Sequence, residues 1–295
     1  MDTRLLFGTG LLVALCLGWI GESHGHPREP AARPQFEQQQ DARLRTGSQG
    51  HPAAERACVP CVASDSLTVC EPDNRLCVLI DDFEAHPVGH PPERWYTNKG
   101  RSLVPANEAT LQEGSRMIRT HKEDGNRFVR MRMDNYAYRL IRVVEDSINW
   151  SVRKHPVLRW NWRVLDYPEG ARETDGDRND AAAAVYVTFG TDWLGRPKSI
   201  KYSYSSTLPV GTTTSYGPLK VLVVASAAEQ PVGEWLAMER NVLEDYRRLF
   251  GEPPDTPRPT AITLFSDADS VPNASAIVDF DNVAAWHEAA LASTP

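Results

Sequence analysis

Long hydrophobic runs are missing from this 295-residue chain once residue 20 is passed, so no later segment reads as a membrane-spanning helix. Positive charge is in short supply too. Against 39 Asp and Glu there are 32 Lys and Arg, a net charge of −7, which argues against general nucleic-acid binding. Familiar catalytic signatures are absent: there is no Gly-x-Ser-x-Gly, no His-Glu-x-x-His and no glycine-rich phosphate loop ahead of a helix. That removes the sequence support for a serine hydrolase, a zinc protease or a nucleotide-binding enzyme. No internal repeat is present, and only one segment has extended helical periodicity.

What is there begins with an apolar run from Leu5 to Ile20, preceded by Arg4 and followed by Ser23-His24-Gly25. Ser23 and Gly25 place small residues at the positions a signal peptidase reads. Residues 1–25 are therefore expected to be a signal peptide cut after Gly25, which makes the mature chain periplasmic or secreted. Residues 26–57 are rich in Gln, Pro, Arg and His and nearly devoid of large apolar groups, so they read as a disordered spacer. Residues 58–77 hold Cys58, Cys61, Cys70 and Cys77. An even number of cysteines in a short exported segment points to two disulfides rather than zinc, with the pairing open. The folded domain is expected over 78–287, with a tail from 288 to 295.

Within that domain the apolar runs are short, alternate with period two, and are bounded by Gly, Pro, Asn and Asp. Phe128–Met133, Leu158–Val164, Ala183–Phe189, Ser199–Tyr204, Leu219–Ala225, Thr260–Asp267 and Ala276–Val283 all follow this pattern. Such alternation is the strand signal, and its spacing suits an all-β jelly-roll sandwich of two antiparallel sheets, galactose-binding or concanavalin-like. The exception is Met238–Phe250, which puts Val242, Tyr246 and Leu249 on one face and stops at Gly251. It is expected to be a crossover helix.

Several strings together resemble a known family. They are Arg159-Trp160-Asn161-Trp162-Arg163-Val164, Asp177–Asp180 ahead of Ala183–Phe189, and Trp235 with Glu239-Arg240-Asn241-Val242. Asp245-Tyr246-Arg247, Phe250-Gly251, Asp267-Ala268-Asp269 and Asp279-Phe280-Asp281-Asn282-Val283 complete the series. In this order they resemble the bacterial exported family called domain of unknown function 3047, over roughly Val78 to Trp286. The looser Asp177-Arg178-Asn179-Asp180 cluster and the cysteine segment depart from that pattern. More distantly, Asp81-Asp82-Phe83-Glu84 and the Asp279–Val283 string resemble the opening and closing strands of carbohydrate-binding jelly rolls. That resemblance implies that first and last strands lie side by side.

Strand alternation assigns the candidate site. Leu158, Trp160, Trp162 and Val164 share one face and read as core, leaving Arg159, Asn161 and Arg163 on the other. Arg130 and Arg132, Tyr186, and Lys201 are outward on their own strands by the same rule. If those strands share a sheet, the seven residues line a cationic groove for a polysaccharide or other anionic ligand, held without turnover. The alternative is a solvated face of cross-strand ion pairs. A lyase on the same scaffold would draw a base from Tyr186, Tyr202 or Tyr204 and pair it with Arg159 and Arg163. An envelope interaction protein would use neither. The acidic strand ends Asp81, Asp82, Glu84, Asp279 and Asp281 are candidate ligands for a structural Ca2+, with Asp267 and Asp269 a lesser cluster.

Overall fold

The computed structural model describes residues 61–64, 67–70, 76–100, 102–108, 116–144 and 148–288. The expected signal peptide, the spacer and most of the tail lie outside them. So does half of the four-cysteine segment, residues 58–60, 65–66 and 71–75; Cys77, at its end, is buried.

Sixteen strands and one helix follow one another among the described residues. The first eight strands are β1 (Cys61–Ser64), β2 (Leu67–Cys70), β3 (Cys77–Asp81), β4 (Tyr96–Lys99), β5 (Ser102–Pro105), β6 (Arg116–Glu123), β7 (Asn126–Asp134) and β8 (Ala137–Val143). Then come β9 (Val157–Asp166), β10 (Ala183–Thr191), β11 (Pro197–Ser205), β12 (Thr213–Tyr216), β13 (Leu219–Ser226) and β14 (Trp235–Asn241). Helix α1 (Val242–Phe250), β15 (Ala261–Asp267) and β16 (Ser275–Trp286) close the domain.

The strands form a sandwich. One sheet has eight strands in the order β12-β13-β11-β10-β15-β8-β4-β5. The other has six, β14-β9-β16-β7-β6, with β3 also pairing β16. First and last strands of the domain do lie side by side, Asp81 opposite Val283. One pairing departs from the antiparallel expectation: β11 and β13 run parallel. Their connection carries β12, which folds back on β13 and ends the sheet.

The period-two pattern explains the core. Trp160, Trp162, Met131, Met133, Val278 and Phe280 point inward from the six-stranded sheet. Val185, Val187, Ile200, Tyr202, Tyr204, Ile262 and Leu264 meet them from the other. The ring of Trp160 stacks on Tyr202 at 5.6 Å, and Trp162 meets Tyr204 edge-on at 6.1 Å. The tryptophans are therefore core, as their apolar companions imply.

Helix α1 links the edge of one sheet to the middle of the other, burying Val242 and Tyr246. It starts at Val242 and not at Met238. Trp235–Asn241 is instead paired with β9, Met238 opposite Trp160, so sheet pairing overrides the local helical pattern. Asn241 caps the helix by accepting from the Glu244 N–H at 3.1 Å, and Gly251 ends it with φ 76°.

Candidate ligand site

The expected cationic groove is divided. Arg130 and Arg132 stand on β7 and Arg159, Asn161 and Arg163 on β9, all in the six-stranded sheet. Tyr186 and Lys201 stand on β10 and β11 of the other sheet. Strand alternation gives the right face within each strand, but the outer faces of the two sheets look away from one another.

On the six-stranded sheet the arginines are neutralised by neighbours. Fully buried Asp279, on the central strand β16, accepts from Arg130 Nε at 2.6 Å and from Arg163 Nε at 2.9 Å. Arg163 also donates to Glu123 at 2.5 Å. Burial works against the Arg163 charge, yet Glu123 and Asp279 carry its pKa above the ordinary arginine value. Arg159 pairs with Glu239 at 2.7 Å and lies over the Trp286 ring, and Arg132 pairs with Asp134 at 3.4 Å. This face is the cross-strand ion-pair alternative: each of its four arginines meets a carboxylate. The Tyr/Arg lyase set is also parted. Tyr202 and Tyr204 are in the core, where burial pushes Tyr204 up to about 12, while Arg159 and Arg163 are on the far surface.

The five proposed calcium ligands do not gather either. Asp81 is buried and accepts from His86 Nε2, from Trp95 Nε1 at 2.8 Å and from the Phe83 N–H at 2.9 Å. Burial alone would raise its pKa, but the bond to His86 brings it below the ordinary value. Asp82 caps the Glu84 N–H, Glu84 accepts from the Arg127 N–H, and Asp281 accepts from Asn126 and Asn282. Among the described residues the one carboxylate group with metal-like spacing is Asp180, Asp267 and Asp269. Asp180 there is engaged by the Ser270 and Val271 N–H groups, at 2.9 and 2.8 Å.

The open site lies on the outer face of the eight-stranded sheet. A cavity of about 370 Å3 is floored by β10, β11 and β15 and walled by the β9–β10 loop and the β12–β13 hairpin. Its floor follows the register. Lys201 is opposite Tyr186, Tyr186 opposite Thr263, and Phe265 stands two residues along from Thr263, opposite Arg139 of β8. The Phe265 ring lies between two cations, Lys201 Nζ 5.4 Å from its centre and Arg139 Cζ 5.2 Å. Tyr186 meets Phe265 edge-on at 5.6 Å. Among the described residues neither Lys201 nor Arg139 has an ion-pair partner.

Lys201 is only 6% exposed. Burial opposes its charge, but the surrounding Tyr186, Asp267 and Glu173 raise its pKa above the ordinary lysine value. Asp267, at the end of the cavity, moves the other way for an acid. Burial and the nearby Asp269 and Asp180 push its carboxyl well up, toward the neutral form. Glu173 is turned onto the hydroxyls of Ser203 and Ser205, both at 2.6 Å. The cavity therefore offers cations, aromatic faces and the hydroxyls of Thr188, Ser199 and Thr263. That combination suits a carboxylated, hydroxyl-rich ring of sugar size.

A family model described as protein of unknown function, DUF3047, matches residues 107–283, more than half of the chain and all of the cavity wall. The chain belongs to the DUF3047 family. No curated protein matches it. Among solved structures, this DUF3047 chain is similar to a carbohydrate-binding module, CBM28, specific for non-crystalline cellulose. Identity is 15%, with 56% of this chain and 78% of that one covered and a TM-score of 0.32. A second match is titled as the structural basis for promiscuous specificity of carbohydrate-binding modules from the β-sandwich superfamily. It has 12% identity, 63% and 66% coverage and a TM-score of 0.31. Neither match carries a ligand over to DUF3047.

Of the seven residues assigned to a groove, the cavity keeps Tyr186 and Lys201. Sequence reasoning missed Arg139, Phe265 and the walls. Arg139 was recoverable, because Ala137–Val143 alternates weakly. The walls come from loops, whose contacts no periodicity encodes.

Proposed function

We propose that this DUF3047 chain is a carbohydrate-binding protein that acts outside the cytoplasm and takes an acidic sugar into the cavity on its eight-stranded sheet, without turnover. The observation that carries the reading is the Phe265 ring held between Lys201 and Arg139, both without an ion-pair partner among the described residues. A buried cation is costly unless something pairs with it. A carboxylate entering from solvent supplies that partner, and the two rings and the hydroxyls around it receive the rest of the sugar. The apolar leader of residues 5–20 supports export, and the even set of four cysteines at 58–77, expected to form disulfides, accords with it. Of the lyase set, Arg159 and Arg163 stand on the other sheet from Tyr186, Tyr202 and Tyr204, so that set does not come together.

Calorimetric titration with oligogalacturonate, glucuronate-containing oligosaccharides and neutral cello-oligosaccharides tests this. Acidic sugars should bind, more weakly as salt rises, with no unsaturated ends appearing on prolonged incubation. Equal affinity for the neutral series, or release of unsaturated ends, would overturn the reading.

A further inference from the structure

Carboxylates gather at one end of the cavity. Alternation along β15 turns Thr263, Phe265 and Asp267 to the cavity side while Leu264 stays in the core. Asp267 is the last residue of that strand, and Asp269 follows it, exposed. Asp180 comes to the same place from the β9–β10 loop and is fully buried. Its two oxygens accept from the Ser270 and Val271 N–H groups at 2.9 and 2.8 Å, which fixes the carboxylate where it stands. One oxygen from each of the three lies within 4.8 Å of the others.

This group differs from an ordinary acidic surface. Asp267 is only 8% exposed, and its Oδ1 is shielded from water without a hydrogen-bond partner. A buried carboxylate oxygen that no donor meets is costly, and a second buried carboxylate beside it adds repulsion. Among the described residues no Lys, Arg or His forms an ion pair with any of the three. Lys201 and Arg139 act on Asp267 and Asp269 only at longer range. A proton relieves one of the charges, and burial with the neighbouring carboxylates does raise the Asp267 and Asp269 carboxyls. A divalent cation relieves all three and gives Oδ1 of Asp267 its missing partner. Neutral oxygens stand at the edge of the group: Ser270 Oγ is 3.2 Å from Asp269 Oδ1 and 3.3 Å from Asn179 Oδ1.

We propose that Asp180, Asp267 and Asp269 bind one Ca2+ at the end of the cavity. Every donor is an oxygen, which selects a hard cation. Calcium takes six to eight oxygens in a loose shell, and neutral oxygens and water on the open Asp269 side complete it. The ion ties the loop after β9 to the loop after β15, adding to the hydrogen bonds that Asp180 already makes there. Because Asp267 and Asn179 line the cavity, it also brings positive charge to the wall of the sugar site. The ion site itself does not depend on a sugar entering the cavity.

The test is calorimetric titration of Ca2+ into the full chain after chelation, with melting temperatures recorded with and without the ion. Wild type takes up one Ca2+ per chain with a Kd below about 1 mM and melts several degrees higher when loaded. Asp269→Asn changes an exposed position and Asp267→Asn keeps the shape of a buried one. Each weakens Ca2+ binding by at least about tenfold. The melting temperatures also cross. Without Ca2+, Asp267→Asn melts above wild type, because a buried charge has gone; with saturating Ca2+, wild type melts above Asp267→Asn. A carboxylate with a merely structural role gives no such crossing. Wild type that neither binds Ca2+ nor melts higher with it would overturn the proposal. So would unchanged affinity in both variants, which would put the ion elsewhere on the chain.

Discussion

The two outer faces of this sandwich both carry basic residues and treat them in opposite ways. On the six-stranded sheet Arg130, Arg132, Arg159 and Arg163 each meet a carboxylate within reach, with Asp279 at the centre serving two of them. On the eight-stranded sheet Lys201 and Arg139 face each other across Phe265, and the nearby acids are withdrawn. Asp267 is pushed toward its neutral form and Glu173 is bound to two serines. A count of positive residues therefore says little about where an anion binds. What distinguishes the faces is whether a carboxylate already sits within ion-pair distance of each cation.

The largest effect expected from this contrast is on stability. Asp279→Asn leaves Arg130 and Arg163 facing each other without their shared, fully buried carboxylate. Unfolding in urea should show a loss of about 3 kcal/mol. A loss under 1 kcal/mol would mean that the face does not depend on its own ion pairs.

The second concerns Asp267 and is a matter of sign. A carboxyl whose folded pKa is raised favours the folded state while protonated, so its contribution falls as pH rises from the unfolded value, about 3.9, toward the folded one. Asp267→Asn removes that loss. Without Ca2+ its melting temperature should exceed that of wild type at neutral pH, with the gap closing as pH drops to about 4. Asp81 behaves oppositely. Its folded pKa lies below the ordinary value, so the stability it adds is present above about 4 and fades as acid protonates it.

Smaller still is Arg159→Ala. Both partners of the Arg159–Glu239 pair are substantially exposed, and thermal unfolding should register less than about 1 kcal/mol. The smallest expected effect is that of a chelator on the strand-end acids. The five strand-end acids assigned to calcium are occupied by His86, Trp95, Arg130, Arg163, Asn126 and backbone N–H groups, so chelation should not move the melting temperature through those five. A drop of several degrees that persists in Asp267→Asn would show that they hold a cation after all.

Much of the fold was legible because period-two alternation is local. Leu158–Val164 announces both its strand and which side of it is core, and the tryptophans there are buried as their neighbours imply. What alternation cannot carry is which strands become neighbours. Arg130 and Lys201 are each outward on their strands, yet long-range pairing puts them on opposite sheets. Met238 illustrates the same limit, since its helical pattern yields to pairing with Trp160. The site was legible to the extent of Tyr186 and Lys201. Glu173 and Tyr216 enter through loops that meet only in three dimensions, the Tyr216 hydroxyl donating to the Glu173 carbonyl.

The most direct test sets one residue from each face side by side: titration of oligogalacturonate into Lys201→Met and into Arg159→Ala. If the face without direct ion pairs is the ligand site, Lys201→Met loses at least about tenfold in affinity and Arg159→Ala binds as wild type does. The reverse outcome, with Arg159→Ala impaired and Lys201→Met unaffected, would place the anion on the wrong side of the sandwich for this account.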